Sequence, residues 1–185
     1  MSRIIRRTRF KIYLWLVLPL LLLSFPGTPA SGHLAGLKAA YVYNIAKFTR
    51  WPESTLAKNM RLFRLCVYGS GETIEELKKL NGKPLSTHSV AIVEPKFEAD
   101  FYQCHLLYIS SSEKRRYRYV LSLIDRKQVL TISDDARFLR QGGMVNLSEQ
   151  QQKLGFEINN TLLSQAELTM SSKLLKLAIL VEGEE

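Results

Sequence analysis

The order of apolar and polar residues divides most of the chain into alternating helical and strand-like segments. Apolar residues spaced by three and four positions predict helices, and short apolar runs bounded by Gly or Pro predict strands. The predicted helices span residues 37–51, 71–80, 113–125, 161–168 and 171–181. The predicted strands span residues 62–69, 88–94, 105–110, 128–133, 142–148 and 153–159. Alternating strands and helices predict an α/β fold with a mostly parallel sheet and helices on both faces.

The last two predicted strands have a different pattern. Leu154, Phe156 and Ile158 alternate with small or polar residues, which is typical of a strand with one buried face. A polar turn separates this strand from the run at 142–148. The pair predicts an antiparallel hairpin at one edge of the sheet.

The predicted helix 37–51 is apolar on nearly every side and precedes Pro52, which disfavours a helical conformation in the residue before it. Lys38, Lys47 and Thr49 lie within it, together with an asparagine, and this polar content excludes a membrane-spanning helix. We therefore expect a core helix.

Asn44 lies in the middle of an apolar stripe of that helix. The stripe contains Leu37, Tyr41, Phe48 and Trp51. A buried asparagine needs hydrogen-bond partners, and neighbouring backbone is the first expectation. The alternative is a small-ligand pocket lined by Tyr41, Tyr43, Phe48 and Trp51, in which Asn44 orients the ligand.

The N-terminal residues 1–30 have the three parts of a secretory signal peptide. Residues 3–11 carry five basic side chains, residues 12–25 are an apolar run, and small residues including Thr28 and Ala30 follow. The apolar run is shorter than the ~20 residues of a spanning helix. We expect cleavage and export, with an uncleaved anchor as the alternative, and a single domain over residues 31–185.

Removal of this leader changes the charge of the protein. The whole chain has a formal net charge of +9, but five of its 26 basic residues belong to the leader. The remaining 21 basic and 17 acidic side chains give +4. Nucleic-acid binding therefore loses most of its support.

Cys66 and Cys104 are the only cysteines. Two cysteines in an exported protein indicate one disulfide. Two buried free thiols are the alternative, and a metal site that adds His105 has no supporting ligand spacing. The sequence thus predicts no metal and no cofactor.

Two further groups of residues are candidates for function. Arg115, Arg116 and Arg118 lie in the predicted helix 113–125, for which Ser110 and Glu113 have the spacing of a capping box. This helix presents either an ordinary solvated face or a patch for anionic lipids or an acidic partner.

Polar residues also follow the predicted strands 105–110 and 128–133. Ser111 and Asp134 lie where hydrolases of α/β fold place catalytic groups. No G-x-S-x-G motif accompanies them, so helix caps explain them better and an enzyme is not expected.

Seven blocks of the chain resemble the YfiR family. They are AAYVYNIAKFTRWP (39–52), LCVYGSG (65–71), CHLLYISSSE (104–113), VLTISD (129–134), GGMVNL (142–147), FEIN (156–159) and SSKLLKLA (171–178). They recur in family order over nearly the whole mature chain. The cysteine pair also matches one that is common in the family, whereas a second pair found in some members is missing here.

The resemblance implies a non-catalytic periplasmic regulator. Such proteins bind the periplasmic domain of an inner-membrane sensor, such as a diguanylate cyclase, and hold it inactive, which lowers cyclic di-GMP synthesis. An outer-membrane lipoprotein sequesters the regulator. We expect the contact surface at the hairpin and the C-terminal helix, in residues Met144, Leu147, Phe156, Leu174 and Leu175. Homodimerisation is left open.

Overall fold

The computed structural model describes residues 30–56, 61–124, 129–150 and 153–181. The predicted signal peptide lies outside these ranges except for its last residue. The helices are α1 (Ala30–Phe48), α2 (Glu72–Lys78), α3 (Glu98–Phe101), α4 (Tyr117–Ser122), α5 (Asn160–Gln165) and α6 (Ser172–Leu175). The strands are β1 (Thr49–Arg50), β2 (Leu62–Tyr68), β3 (Pro84–Leu85), β4 (His88–Val93), β5 (Leu106–Ile109), β6 (Leu130–Ser133), β7 (Val145–Gln150), β8 (Lys153–Asn159), β9 (Thr169–Met170) and β10 (Ile179–Val181).

Eight strands form one mixed sheet in the order β10-β8-β7-β6-β5-β2-β4-β3. The central pairs, from β4 through β2, β5 and β6 to β7, are parallel. The β7–β8 pair is the predicted antiparallel hairpin, with Leu147 opposite Phe156. The chain runs from β2 to β4 and returns to β5 on the other side of β2, so the strand order reverses between β2 and β5. The predicted α/β fold class is confirmed.

Side chains that alternate along the buried strands divide the core into two layers. Along β5, Leu106 and Tyr108 enter the larger layer under α1, α2, α5 and α6. Leu107 and Ile109 enter the smaller layer under α3 and α4. This period of two is the geometry of a strand buried on both faces.

The predicted disulfide between Cys66 and Cys104 is confirmed. The bond joins Cys66 on β2 to Cys104, two residues before β5, with 5.7 Å between the Cα atoms. Both side chains are buried in the smaller layer. Since β2 and β5 are adjacent parallel strands, the bond links two neighbours at the centre of the sheet.

The predicted C-terminal helix 171–181 is wrong in its second half. Only α6 is helical, with the Ser171 hydroxyl accepting the N–H of Leu174 as a cap. Residues 179–181 form β10, which pairs in parallel with β8. The hairpin β7–β8 is therefore one strand inside the edge. Residues 179–181 form a strand because the backbone N–H and C=O groups along the edge of β8 pair with theirs, and the local helical pattern does not reveal this pairing.

The predicted helix 113–125 is also shorter than expected. A 3₁₀ turn at Ser111–Glu113 comes first, and α4 begins only at Tyr117. Ser110 accepts the N–H of Ser112, so it caps the turn and forms no capping box with Glu113. Tyr117 sets the start of α4, because its buried hydroxyl meets that of Ser133 at 2.9 Å.

Candidate functional site

An apolar groove lies between α1, β8 and α6. Its volume is about 540 Å³. The lining residues are Tyr41, Asn44, Ile45 and Phe48 from α1, Leu154, Gly155 and Phe156 from β8, and Lys173, Leu174 and Leu177 from α6 and the turn after it. The groove thus combines two groups of residues that the sequence predicted as separate sites.

The helix α1 faces the core with a different side from the one expected. Its buried face consists of Ala35, Ala39, Val42, Ile45 and Ala46. Alanines allow the helix backbone to approach α2 and the sheet closely, so the large rings are not needed there.

Asn44 is exposed, and the expectation of a buried asparagine in a core stripe is corrected. Phe48 keeps 43% of its surface exposed and Leu37 keeps 37%. The middle residues of the stripe, Tyr41, Asn44 and Phe48, form a wall of the groove, whereas Leu37 and Trp51 do not line it. The amide of Asn44 is therefore available to a molecule in the groove.

A short set of polar contacts fixes the groove walls relative to one another. The Tyr41 hydroxyl donates to the Leu154 carbonyl oxygen at 2.8 Å, and the Tyr41 and Phe156 rings meet edge to face. The Ser171 N–H donates to the Phe48 carbonyl oxygen at 2.9 Å. The end of α1 is thereby tied to the start of α6.

Large apolar side chains continue beyond the groove to the edge of the sheet. Leu177 is 74% exposed, Ile179 49% and Leu180 53%. Single exposed leucines are ordinary on a protein surface, but exposed Phe48 and Leu177 in the lining of an apolar groove are typical of a binding site. The helical pattern of residues 171–181 does not reveal this exposure, because residues 179–181 are a strand.

Most of the residues predicted to contact a partner are buried. Met144 and Leu147 point into the larger core layer, and this part of the prediction is corrected. Phe156 and Leu174 are mostly buried and form walls of the groove. Leu175 is half-buried and packs on the core. Met144 and Leu147 are 1% and 3% exposed, so neither can contact a partner directly.

The predicted aromatic pocket is divided among three places. Tyr41 and Phe48 line the groove. The Tyr43 hydroxyl donates to the Pro84 carbonyl oxygen at the other side of α1. Trp51 lies beyond the end of α1, and its indole N–H donates to the His105 carbonyl oxygen at 3.2 Å. Trp51 is therefore a packing residue, with its ring on Phe63.

A second, polar crevice lies at the carboxyl end of the sheet, where the strand order reverses. Its volume is about 510 Å³, and Lys38, Ser111 and Asp134 are among its lining residues. The Asp134 carboxylate accepts from the Lys38 ammonium at 2.6 Å and from the Ser111 N–H at 3.2 Å. This carboxylate joins α1, β6 and the turn after β5, which is a structural role.

His105 directly precedes β5, at the opposite, amino end of the parallel strands. Its Nδ1 accepts the Arg64 N–H at 2.9 Å, so the ring is neutral in this arrangement. Burial, together with the positive charges of Arg64 and His88, lowers the pKa of His105 from 6.5 to about 4. It therefore cannot act as a base for Ser111 at the other end of the strands.

The described ranges contain no cluster of three or more His, Cys, Asp or Glu side chains suited to a metal ion. The disulfide occupies both cysteine sulfurs, so they are not thiolate ligands beside His105. Within the same ranges, no helix is both long and apolar enough to span a membrane.

The fold is that of an open, mostly parallel α/β protein. The sequence profile of the YfiR/HmsC-like family matches residues 35–179, and the chain belongs to this family. Family membership and the disulfide together support a periplasmic regulator. A comparison with curated proteins finds no match.

Two solved structures are similar in shape. One is a conserved domain protein from Vibrio cholerae O1 biovar El Tor, with a TM-score of 0.51 and 10% identity, covering 79% of this chain. This chain spans 59% of that one. The other is the ABC domain from Streptococcus pneumonia in complex with L-Trp, with a TM-score of 0.44 and 9% identity. The alignment covers 70% of this chain and 58% of that one. The first likeness concerns the fold alone.

Proposed function

We propose that the mature protein is an exported periplasmic regulator that binds another protein through the groove between α1, β8 and α6. The observation that carries the proposal is the exposure of Phe48 and Leu177 in the lining of this groove, with 43% and 74% of their surfaces in water. A folded protein gains nothing by leaving such side chains in water, whereas a partner that covers them gains about 1.5–3 kcal/mol for each one fully buried.

The groove is suited to an apolar anchor from a partner. Its walls are Tyr41, Phe156 and Leu174, and Lys173 is the charged residue among its lining. Interfaces of this kind concentrate their binding free energy in a few apolar or aromatic anchors that enter a preformed pocket. A partner segment with a large apolar side chain and a nearby acidic residue matches this chemistry.

The partner that family membership favours is the periplasmic domain of an inner-membrane sensor, such as a diguanylate cyclase, held inactive by the bound regulator. An outer-membrane lipoprotein that competes for the groove would release it. Export through the N-terminal signal peptide brings the protein to both partners.

Capture experiments with exposed groove residues test the proposal. Phe48→Asp and Leu177→Asp place a charge on the groove without disturbing the core, since Leu177 is 74% and Phe48 43% exposed and neither belongs to the buried core. Leu62→Asp is the matched control, because Leu62 is 48% exposed and does not line the groove. Affinity capture from envelope extracts, read by mass spectrometry, should recover a membrane sensor or lipoprotein with the wild type and the control.

The groove variants should recover at least tenfold less of that protein. If the wild type recovers neither a sensor nor a lipoprotein, or if both groove variants recover as much as the control, the proposal is wrong.

A small-ligand sensor is the second candidate, and the exposure of Asn44 beside Tyr41 in the groove favours it. A groove of this size is within the ~300–1,000 Å³ of ligand pockets. Thermal shifts against envelope metabolites should then be lost in Asn44→Ala. Shifts that are equal in the wild type and Asn44→Ala would count against a ligand held by this amide.

A further inference from the structure

We propose that a second surface, on the opposite face of the sheet from the groove, binds anionic phospholipid bilayers. This surface, which we call the basic-aromatic face, consists of Phe97, Tyr102, Arg115, Arg116, Arg118 and Tyr119. Phe97 and Tyr102 flank α3, Arg115 and Arg116 directly precede α4, and Arg118 and Tyr119 lie in α4.

The basic side chains of this face are largely unused by the fold. Residues 97–102 and 111–122 contain four basic side chains and three acidic ones, Glu98, Asp100 and Glu113, and each acidic side chain is held by a contact within the fold. Arg116 lies 3.9 Å from Glu113 and donates to the Tyr68 hydroxyl at 3.0 Å. Arg115 and Arg118 are exposed and have no ion pair with any residue in the described ranges. Their guanidinium groups are free to bind phosphate oxygens in pairs.

Three aromatic side chains stand beside these arginines and are not part of the core. Phe97 is 74% exposed, Tyr102 64% and Tyr119 53%. The core under this face is built from other residues, among them Phe101 and Tyr117, which are buried. Aromatic rings of this kind occupy the headgroup level of membrane interfaces.

The contacts between α3 and α4 hold the two groups of side chains together. The Tyr119 hydroxyl donates to the Glu98 carboxylate at the start of α3. The Tyr68 ring packs edge to face on Phe101 of α3, with 5.3 Å between centroids, and its hydroxyl accepts from Arg116. The rings at both ends of α3 therefore border the arginines around α4.

A bilayer fits this face better than an acidic protein surface does. An acidic partner would pair with the arginines but would leave Phe97 without an apolar site to enter. An anionic bilayer supplies both phosphates and an apolar layer directly below them. Because α1 and α6 cover the other face of the sheet, a membrane-bound molecule would keep its groove open to a partner.

Vesicle sedimentation of the exported protein tests the inference, with mass spectrometry to establish that the leader has been removed. Vesicles that contain phosphatidylglycerol should sediment the protein, phosphatidylcholine vesicles should not, and added salt should release it. The double variant Arg115→Ala/Arg118→Ala should bind about 30-fold more weakly, at about fivefold for each basic residue near an anionic surface. Phe97→Ser should bind more weakly at every salt concentration.

The matched control is Lys79→Ala/Lys153→Ala, which removes the same charge from exposed positions elsewhere. It should bind within about threefold of the wild type. Equal loss in both double variants would show only diffuse charge attraction and would overturn the proposal. The proposal would also be overturned if vesicles containing phosphatidylglycerol did not sediment the protein. It would likewise be overturned if the protein bound no vesicles but captured an acidic protein that the arginine variant fails to capture. Groove capture should be unchanged in the arginine variant, so this test is separate from that of the proposed function.

Discussion

Tyr41 and Leu154 are 113 residues apart in the chain and share one hydrogen bond at the floor of the groove. The phenol is on α1, and the carbonyl oxygen that accepts its hydrogen bond is on β8, 2.8 Å away. This bond fixes the distance between two walls of the groove. The shape of the groove therefore depends on a contact that the local sequence of neither segment reveals.

Removal of this bond should loosen the groove. Tyr41→Phe keeps the ring on Phe156 but leaves the Leu154 carbonyl oxygen without the phenol, at a cost of about 1 kcal/mol of unfolding free energy. Denaturant unfolding measures the loss. Tyr102→Phe is the control, since the Tyr102 ring is 64% exposed, and its stability should change by less than about 0.5 kcal/mol. Equal stability of the two variants would contradict the role assigned to Tyr41.

The disulfide should contribute strongly to stability. Cys66→Ala/Cys104→Ala opens a loop that spans a sequence separation of 38 residues, which is expected to lower the free energy of unfolding by roughly 3–4 kcal/mol. Thermal unfolding with and without reductant checks this. Reductant should lower the melting temperature of the wild type and leave that of the variant unchanged. Reactive thiols in unfolded, unreduced protein would show that the bond is absent in the exported molecule.

The ion pair between Lys38 and Asp134 should be a coupled unit. Both side chains are mostly buried, with 18% and 10% of their surfaces exposed. Asp134→Asn leaves the Lys38 ammonium without its carboxylate and should destabilise the protein by about 2–3 kcal/mol. Adding Lys38→Met should recover part of this loss, because no charge then remains unpaired. A double-mutant cycle with a coupling energy near zero would contradict the pairing.

The same Asp134→Asn variant separates structure from catalysis. If Asp134 only braces the fold, screens with ester and phosphoester substrates should show no turnover by the wild type. Hydrolysis that is present in the wild type and lost in Asp134→Asn would support an enzyme.

Stability should fall in mild acid because of His105. Its pKa is about 4 in the folded protein and 6.5 as the ordinary value, so the unfolded chain binds the proton more readily. The contribution of the neutral ring is complete above pH 6.5 and is lost as the pH falls from 6.5 to 4. His105→Asn keeps an acceptor for the Arg64 N–H but cannot titrate. Unfolding measured from pH 7.5 to 4 should fall less steeply in this variant, whereas His33→Gln, at an exposed position, should follow the wild type.

Periodicity predicted the strands well because their signal is local. β2, β4, β5, β6 and β8 all lie within the predicted strand segments. β5 and β6 are buried at every position, and a strand covered on both faces requires a short continuous apolar segment. The hairpin was equally clear, because alternation in β8 reports its single buried face. The last segment, 179–181, failed because isoleucine, leucine and valine suit either a helix or an edge strand.

The candidate site was predicted in pieces. Tyr41, Asn44 and Phe48 were correctly placed on one stripe of α1, but the stripe was assigned to the core. Helical spacing identifies residues that share a face and does not say which of two apolar faces packs inward. The face of α1 that contains its alanines packs inward, because small side chains let the helix approach the sheet closely, and this packing is visible only in the assembled structure.

The sequence by itself determined the fold class, the hairpin, the cysteine pair and the family likeness, because each depends on residue types at short or countable spacings. The tertiary structure alone decided that α1 turns its aromatic stripe to a groove, that β10 extends the sheet beyond β8, and that the arginines around α4 stand beside exposed rings. These relationships join residues far apart in the chain, and only packing sets their distances.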